Sequence, residues 1–242
     1  MRADDHPATT ITGPPTAYQN RLFVPVSSLE VLSASSDAYE CFNFRGSVLA
    51  LDLHSGSPLW QTYMVSEPEA QQKNVMGIQN YGPSGAPIWN SPTIDTEREQ
   101  LYVGTGENYS SPATTTSDAI LALSLDTGNI RWVYQATLGD AWNTACGWQK
   151  RANCPEEDGP DFDFGASVVL ATDSQGRDFV LGPQKSGAIH ANPGLFAINL
   201  SDGGSMDGGT APLPFGGRLY VNSGYNFARH MAGNVMLVYG PK

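Results

Sequence analysis

The chain is poor in charge. Only 15% of its 242 residues are Asp, Glu, Lys or Arg, against roughly 25% in ordinary soluble domains. Basic residues are the scarcer sign, 13 against 24 acidic, for a net charge of −11. No basic stripe is present, which argues against nucleic-acid binding. No apolar run approaches the roughly 20 residues that cross a bilayer. The opening MRADDHP also lacks the apolar core of a secretory leader. Either the chain is cytoplasmic, or its numbering starts inside a longer precursor; the second is the expectation. Cysteine is scarce too: Cys41, Cys146 and Cys154, with no Cys-x-x-Cys-His and so no c-type haem attachment in this chain. His6, His54, His190 and His230 are scattered, which argues against zinc. Cys146 and Cys154 lie eight apart in a loop, a spacing that a disulfide can close, with two free thiols as the alternative.

What the chain has in quantity is turn and strand chemistry: 26 Gly, 17 Pro, ten Tyr, nine Phe and five Trp. It also repeats itself. Residues 47–60 read SVLALDLHSGSPLW, and 72 positions on, residues 119–132 read AILALSLDTGNIRW. A weaker copy, LFAINLSDGG, occupies 195–204. Each is an apolar strand entering an Asp/Ser-Gly turn, and in the first two a second strand ends on Trp, the pattern of a β-hairpin. A β-branched and aromatic strand precedes each copy: NRLFVPVSS at 20–28, EQLYVGTGE at 99–107 and GRLYVNSGY at 217–225. GRDFVLGPQKSG at 176–187 fits more loosely.

Such units spell four-stranded propeller blades. The fold expected is all-β, a partial β-propeller of about three to four blades, forming one domain over residues 1–242. A generic sandwich would give short strands, but not the same Trp-terminated unit twice. Trp60 and Trp132 then read as packing residues between blades. Because closed propellers have roughly four to eight blades, the chain is a partial propeller or a minimal one. Near His190–Pro193 the third unit runs SGAIHA straight into NPGLFAINL, as if strands were missing.

The Trp-bearing copies resemble the repeats of quinoprotein alcohol dehydrogenases. The longer stretches YECFNFRGSVLALD, SPTIDTEREQLYVGTGENYSSPATTTSDAILAL, RANCPEEDGPDFDFG and QKSGAIHA resemble the polyvinyl alcohol dehydrogenases among them. The resemblance covers nearly the whole chain. It implies pyrroloquinoline quinone (PQQ) as cofactor with Ca²⁺ or a similar hard cation. It implies a secondary alcohol or polymer as substrate, and a cytochrome c as electron acceptor, since this chain has no cytochrome domain. It further implies a periplasmic or extracellular location, where a Cys146–Cys154 disulfide would persist. A non-catalytic propeller scaffold and an inactive truncated copy are the rival readings, and open blade edges would allow self-association.

Residue by residue, the resemblance puts the quinone ring on Trp89 and a further contact on Thr12. For the metal, Ser27-x-x-Glu30 matches one ligand pattern. Glu40, ahead of Arg45-Gly46, matches another, so both glutamates stay open. Gly104-Thr105-Gly106-Glu107-Asn108 stands where the family has a Gly-x-Gly-Asn ligand loop, with Glu107 in the Asn position and Asn108 beside it. Asp161-Phe162-Asp163 resembles an acidic doublet whose first Asp is the catalytic base. Residues i and i+2 of a strand share a face, so both carboxylates could address one ion. Asp140, in LGDAWN, competes as the base. Lys185 falls where a cation stands over the quinone oxygens, and Asn222 is a further candidate cofactor contact.

Overall fold

The computed structural model describes residues 2–147, 149–172, 176 and 178–192, with four backbone strands beyond them, Ile198–Asn199, Leu213–Phe215, Arg218–Ser223 and Val235–Tyr239. The first sheet comprises β1 (Thr9–Thr10), β2 (Thr16–Tyr18), β3 (Arg21–Ser28), β4 (Ser47–Asp52) and β5 (Pro58–Tyr63). A hairpin of β6 (Glu69–Lys73) and β7 (Gln79–Gly82) follows, then the short β8 (Ser84–Gly85). The second sheet runs in the order β13-β12-β10-β9, from β9 (Thr93–Asp95), β10 (Gln100–Gly104), β12 (Ala119–Ser124) and β13 (Ile130–Gln135). Between them β11 (Asn108–Ser110) pairs with β8. The third sheet is β14 (Val169–Thr172), β15 (Asp178–Pro183), β16 (Ala188–Asn192) and β17 (Ile198–Asn199). The last is β18 (Leu213–Phe215), β19 (Arg218–Ser223) and β20 (Val235–Tyr239). Every pairing within these sheets is antiparallel.

The sequence repeat is a structural repeat down to its irregularities. Ala50 pairs with Trp60 and Ala122 with Trp132, and each ladder slips at the next residue, Leu51 and Leu123. Both turns close on a glycine in the left-handed region, Gly56 (φ 70°) and Gly128 (φ 72°), a backbone that glycine adopts without cost. Each glycine N–H returns to the strand, to Asp52 O in one turn and Ser124 O in the other.

Successive sheets stack through these hairpin ends. Trp60 Nε1 donates to Leu125 O at 3.3 Å, and its ring covers Gly128 so closely that a Cβ there would collide with it. The core between the first two sheets is apolar, with Phe23, Ile88, Leu101, Val103 and Leu121 all fully buried. Trp132 repeats the arrangement one sheet on, tilted against Tyr102 at 5.6 Å beside the buried Phe164 and Val180.

Candidate active site

The strand β10 ends at Gly104, and the loop Thr105–Glu107 turns across the end of the second sheet. Its glycines are there for space. A side chain on Gly106 would meet Asp163 Oδ1 at 2.8 Å and Pro87 Cγ at 3.1 Å, and one on Gly104 would collide with Phe164 Cβ. The loop thus admits the segment Asp161–Phe164 against its backbone. Glu107 N–H donates to Asp163 Oδ1 at 2.9 Å, and Phe164 N–H to Thr105 O at 3.1 Å.

Carboxylate oxygens of Glu107, Asp161 and Asp163 consequently all lie within 4.8 Å of one another. The first and last are buried, and Asp161 is half-buried. One cation of the chain itself sits among them: Lys185 Nζ lies 2.9 Å from Asp161 Oδ1 and 2.7 Å from Asp163 Oδ2. The Lys185 N–H also donates to Asp163 O at 2.9 Å, which fixes its strand end to the doublet.

These placements shift the titrations. Burial raises the Glu107 pKa well above the carboxylate range, and the Asp163 and Asp161 charges add to it. Asp161 is pushed up to about 7 by burial and by Asp163, against the opposing pull of Lys185. Burial works against the Lys185 charge, but Asp163, Asp161 and Glu107 outweigh it and raise its pKa.

Trp89 forms the open side. It is half-buried, and Lys185 Nζ stands 5.5 Å from its ring centroid. The ring edge lies over Gly165, where a Cβ would overlap it. Its neighbour Asn90, not singled out by the sequence, anchors it: Nδ2 donates to Gly104 O and to Phe164 O, each at 2.7 Å. No spacing rule marks such an asparagine, because its partners come from two loops distant in sequence. The site is therefore layered, with Trp89, Lys185 and Asp161 reached by solvent and Glu107 and Asp163 behind them.

The other candidates stand elsewhere or serve otherwise. Asp140 is fully buried, and both its oxygens are spent on backbone: Oδ1 accepts from Asp161 N–H (3.4 Å) and Oδ2 from Phe162 N–H (3.2 Å). It holds the doublet's backbone, with Asp161 in the left-handed region at φ 59°. Burial raises its pKa, and the two amides oppose that rise. Asn108 is buried beside Glu107 and already hydrogen-bonded. Its Nδ2 donates to Ser84 O and its Oδ1 accepts from Thr114 N–H and Oγ1, so its side chain ties β11 to its surroundings. Glu30 lies outside this cluster, fully buried, and accepts from Tyr39 OH, Asn43 N–H and Phe44 N–H. Glu40 is exposed, accepting from Tyr81 OH. Thr12 is exposed between β1 and β2, and Ser27 is buried on β3 opposite Thr10. Asn222 lies in β19, where its side chain falls outside the described residues. Cys146 and Cys154 are joined in a disulfide, and Cys41 is free and buried.

The residues present fit a hard cation under a flat cofactor. Three clustered carboxyl groups present oxygen ligands, the donor set of a Ca²⁺-like ion. Glycines at 104, 106 and 165 let Phe164, Asp163 and the Trp89 ring pack close together, and an aromatic face with an adjacent ammonium suits a planar anionic ring. Among the described residues no helix is long and apolar enough to cross a membrane.

The chain is 43% identical over 189 residues to a polyvinylalcohol dehydrogenase of Pseudomonas sp., covering 78% of this chain and 29% of that protein. It is 40% identical over 192 residues to the polyvinylalcohol dehydrogenase of Sphingopyxis sp. strain 113P3, again 78% of this chain and 29% of the relative. The chain thus spans under a third of the length of these relatives. Its fold is similar to that of the quinohemoprotein alcohol dehydrogenase ADHIIG from Pseudomonas putida HK5, with a TM-score of 0.53, 22% identity, and coverage of 85% of this chain and 28% of that one. Residues 1–149 match the PQQ model described as glucose/ethanol/alcohol dehydrogenase, β-propeller domain, and the chain belongs to that family of quinone-dependent dehydrogenases.

Proposed function

We propose that this chain carries the catalytic site of a quinoprotein dehydrogenase that oxidises secondary alcohols, with polyvinyl alcohol the substrate by its relatives' names. The observation that carries the reading is the convergence of Trp89, Lys185 and the Glu107–Asp161–Asp163 carboxylates on one loop cluster. When bound, PQQ supplies a two-electron acceptor whose carbonyl a Ca²⁺-like ion polarises.

The chain's residues divide the remaining work. Trp89 offers the flat face on which the cofactor lies. Glu107 and Asp163, both buried, hold the ion with Asp161 beside them. Asp161 is the carboxylate that a substrate can reach, and it takes the proton from the alcohol hydroxyl. A base with a pKa near 7 accepts that proton with little mismatch to a neutral medium. Asp140 positions Asp161 by holding the Asp161 and Phe162 amides, a role distinct from the rival base assignment. Lys185 contributes a fixed positive charge where electron density accumulates, stabilising it electrostatically. Electrons would pass on to a cytochrome c in the periplasm or outside the cell. All of this falls to a single partial propeller domain over residues 1–242, whose open sheet edges are also where a second copy could pair.

Titrating the purified chain with PQQ in the presence of Ca²⁺, followed by quenching of Trp fluorescence, tests the reading. Saturable one-to-one binding that Trp89→Ala weakens by about tenfold or more supports it. A chain that binds no quinone under these conditions is a scaffold or an inactive copy, and the proposal falls.

A further inference from the structure

Glu107, Asp161 and Asp163 face one another, and Asp140 holds loop amides. A fifth acid, Asp118, has no such place. It is fully buried, and neither carboxylate oxygen has a hydrogen-bond partner; among the described residues no other buried carboxylate is in that state. Carboxylates are normally kept buried only when paired or hydrogen-bonded, so both oxygens of this one are free to accept from a donor.

Its backbone ties it to the site. Asp118 N–H donates to Gly106 O at 3.0 Å, and Asp118 O accepts from Ala136 N–H at 3.0 Å. Gly106 is the residue whose absent side chain makes room for Asp163 Oδ1. Asp118 is held at φ 47°, a left-handed conformation that a non-glycine residue keeps only where its surroundings impose it. The charges that bear on it are those of the site: after burial, Asp163, Asp140 and Asp161 push its pKa up to about 10, and Lys185 opposes them.

A Ca²⁺-like ion takes six to eight oxygen ligands, whereas the cluster supplies three carboxylates. Water fills positions that protein and cofactor leave open, and a metal-bound water is a strong donor in need of an acceptor. We propose that Asp118 is a further cation-binding residue, accepting hydrogen bonds from water carried by the ion that Glu107, Asp161 and Asp163 hold. The inference rests on the cation site proposed above. It extends that site inward, to a carboxylate that sequence reasoning passes over because Asp118 sits in an ordinary Ser-Asp-Ala strand entry.

The test is calorimetric titration of the full chain with Ca²⁺ alone, without quinone. Asp118→Asn keeps the shape of the carboxyl, and the expectation is Ca²⁺ affinity weakened by about 10- to 100-fold, as for loss of an outer-layer metal partner. Asp118→Ala, which also removes the acceptor, is expected to do the same and stands in should the first variant fold poorly. Wild-type Ca²⁺ affinity in a folded Asp118 variant overturns the proposal. Glu107→Gln separates the two levels. If it destroys Ca²⁺ binding while the Asp118 variants bind normally, only the role of Asp118 falls. If Glu107→Gln binds Ca²⁺ like the wild type, the cation site itself falls, and Asp118 with it.

Discussion

Two groups of buried carboxylates in this molecule have opposite surroundings. Glu30 is wholly enclosed, yet donors meet it on both oxygens: Tyr39 OH and Asn43 N–H on Oε1, Phe44 N–H on Oε2. His6 Nε2 lies 3.3 Å away as well. It is a rivet between the α1 turn (Glu30–Ser33) and the strand entry at Phe44. Glu107, Asp161 and Asp163 instead face one another with a single ammonium between them, and Asp118 nearby has no donor at all. Carboxylates that are satisfied by amides are structure. Carboxylates that repel and wait for positive charge form a site.

That contrast can be broken by mutation. The largest expected effect is on chemistry: Asp161→Asn should lower turnover by roughly 10² to 10⁴, the usual cost of losing a general base, while leaving PQQ binding nearly intact. Steady-state rates with an artificial electron acceptor and PQQ titration together check it. Next comes Glu30→Gln, which sets an amide against backbone donors and should cost about 3 kcal/mol in urea unfolding without altering Ca²⁺ affinity. Glu107→Gln should behave in the opposite way, leaving or raising the cation-free stability and weakening Ca²⁺ binding. Equal stability losses in the two variants would erase the distinction.

The disulfide sharpens the account from another side. Thiol titration of denatured, unreduced protein should find one free thiol per chain, that of Cys41. Reducing Cys146–Cys154 should cost about 2 to 3 kcal/mol, the loop-closure value for so short a ring. A further effect follows from titration. The Asp161 pKa of about 7 lies above its unfolded value of about 3.9. The folded cation-free protein therefore binds the extra proton, and its stability is highest below pH 4 on this account and declines as pH rises to about 7. The slope from this one group is at most about 1.4 kcal/mol per pH unit. Thermal unfolding in chelator across that range should show the decline, and added Ca²⁺ should flatten it.

The blades were legible because their chemistry is local. SVLALDLHSGSPLW and AILALSLDTGNIRW encode strand, glycine turn and strand within fourteen residues, and even the slips after Ala50 and Ala122 repeat. The resemblance likewise pointed to Trp89, Glu107, Asp161, Asp163 and Lys185, which the fold brings to one place. What sequence could not separate are acids of identical type with different neighbours. Nothing in the local pattern of Glu30 announces the donors that the loop from Tyr39 to Phe44 folds around it. Nor does that of Asn108 announce its bonds to Ser84 and Thr114. Asn90 and Asp118 carry no spacing signal, because their roles come from contacts between loops far apart in the chain.

The central claim is that the Glu107–Asp161–Asp163 cluster is a cation site. Anomalous diffraction from crystals of the protein grown with Ca²⁺ tests it most directly. One strong peak is expected, with oxygens of all three carboxylates about 2.3 to 2.6 Å from it. A map with no peak there, or with Lys185 Nζ still bridging Asp161 and Asp163 at saturating Ca²⁺, would contradict it.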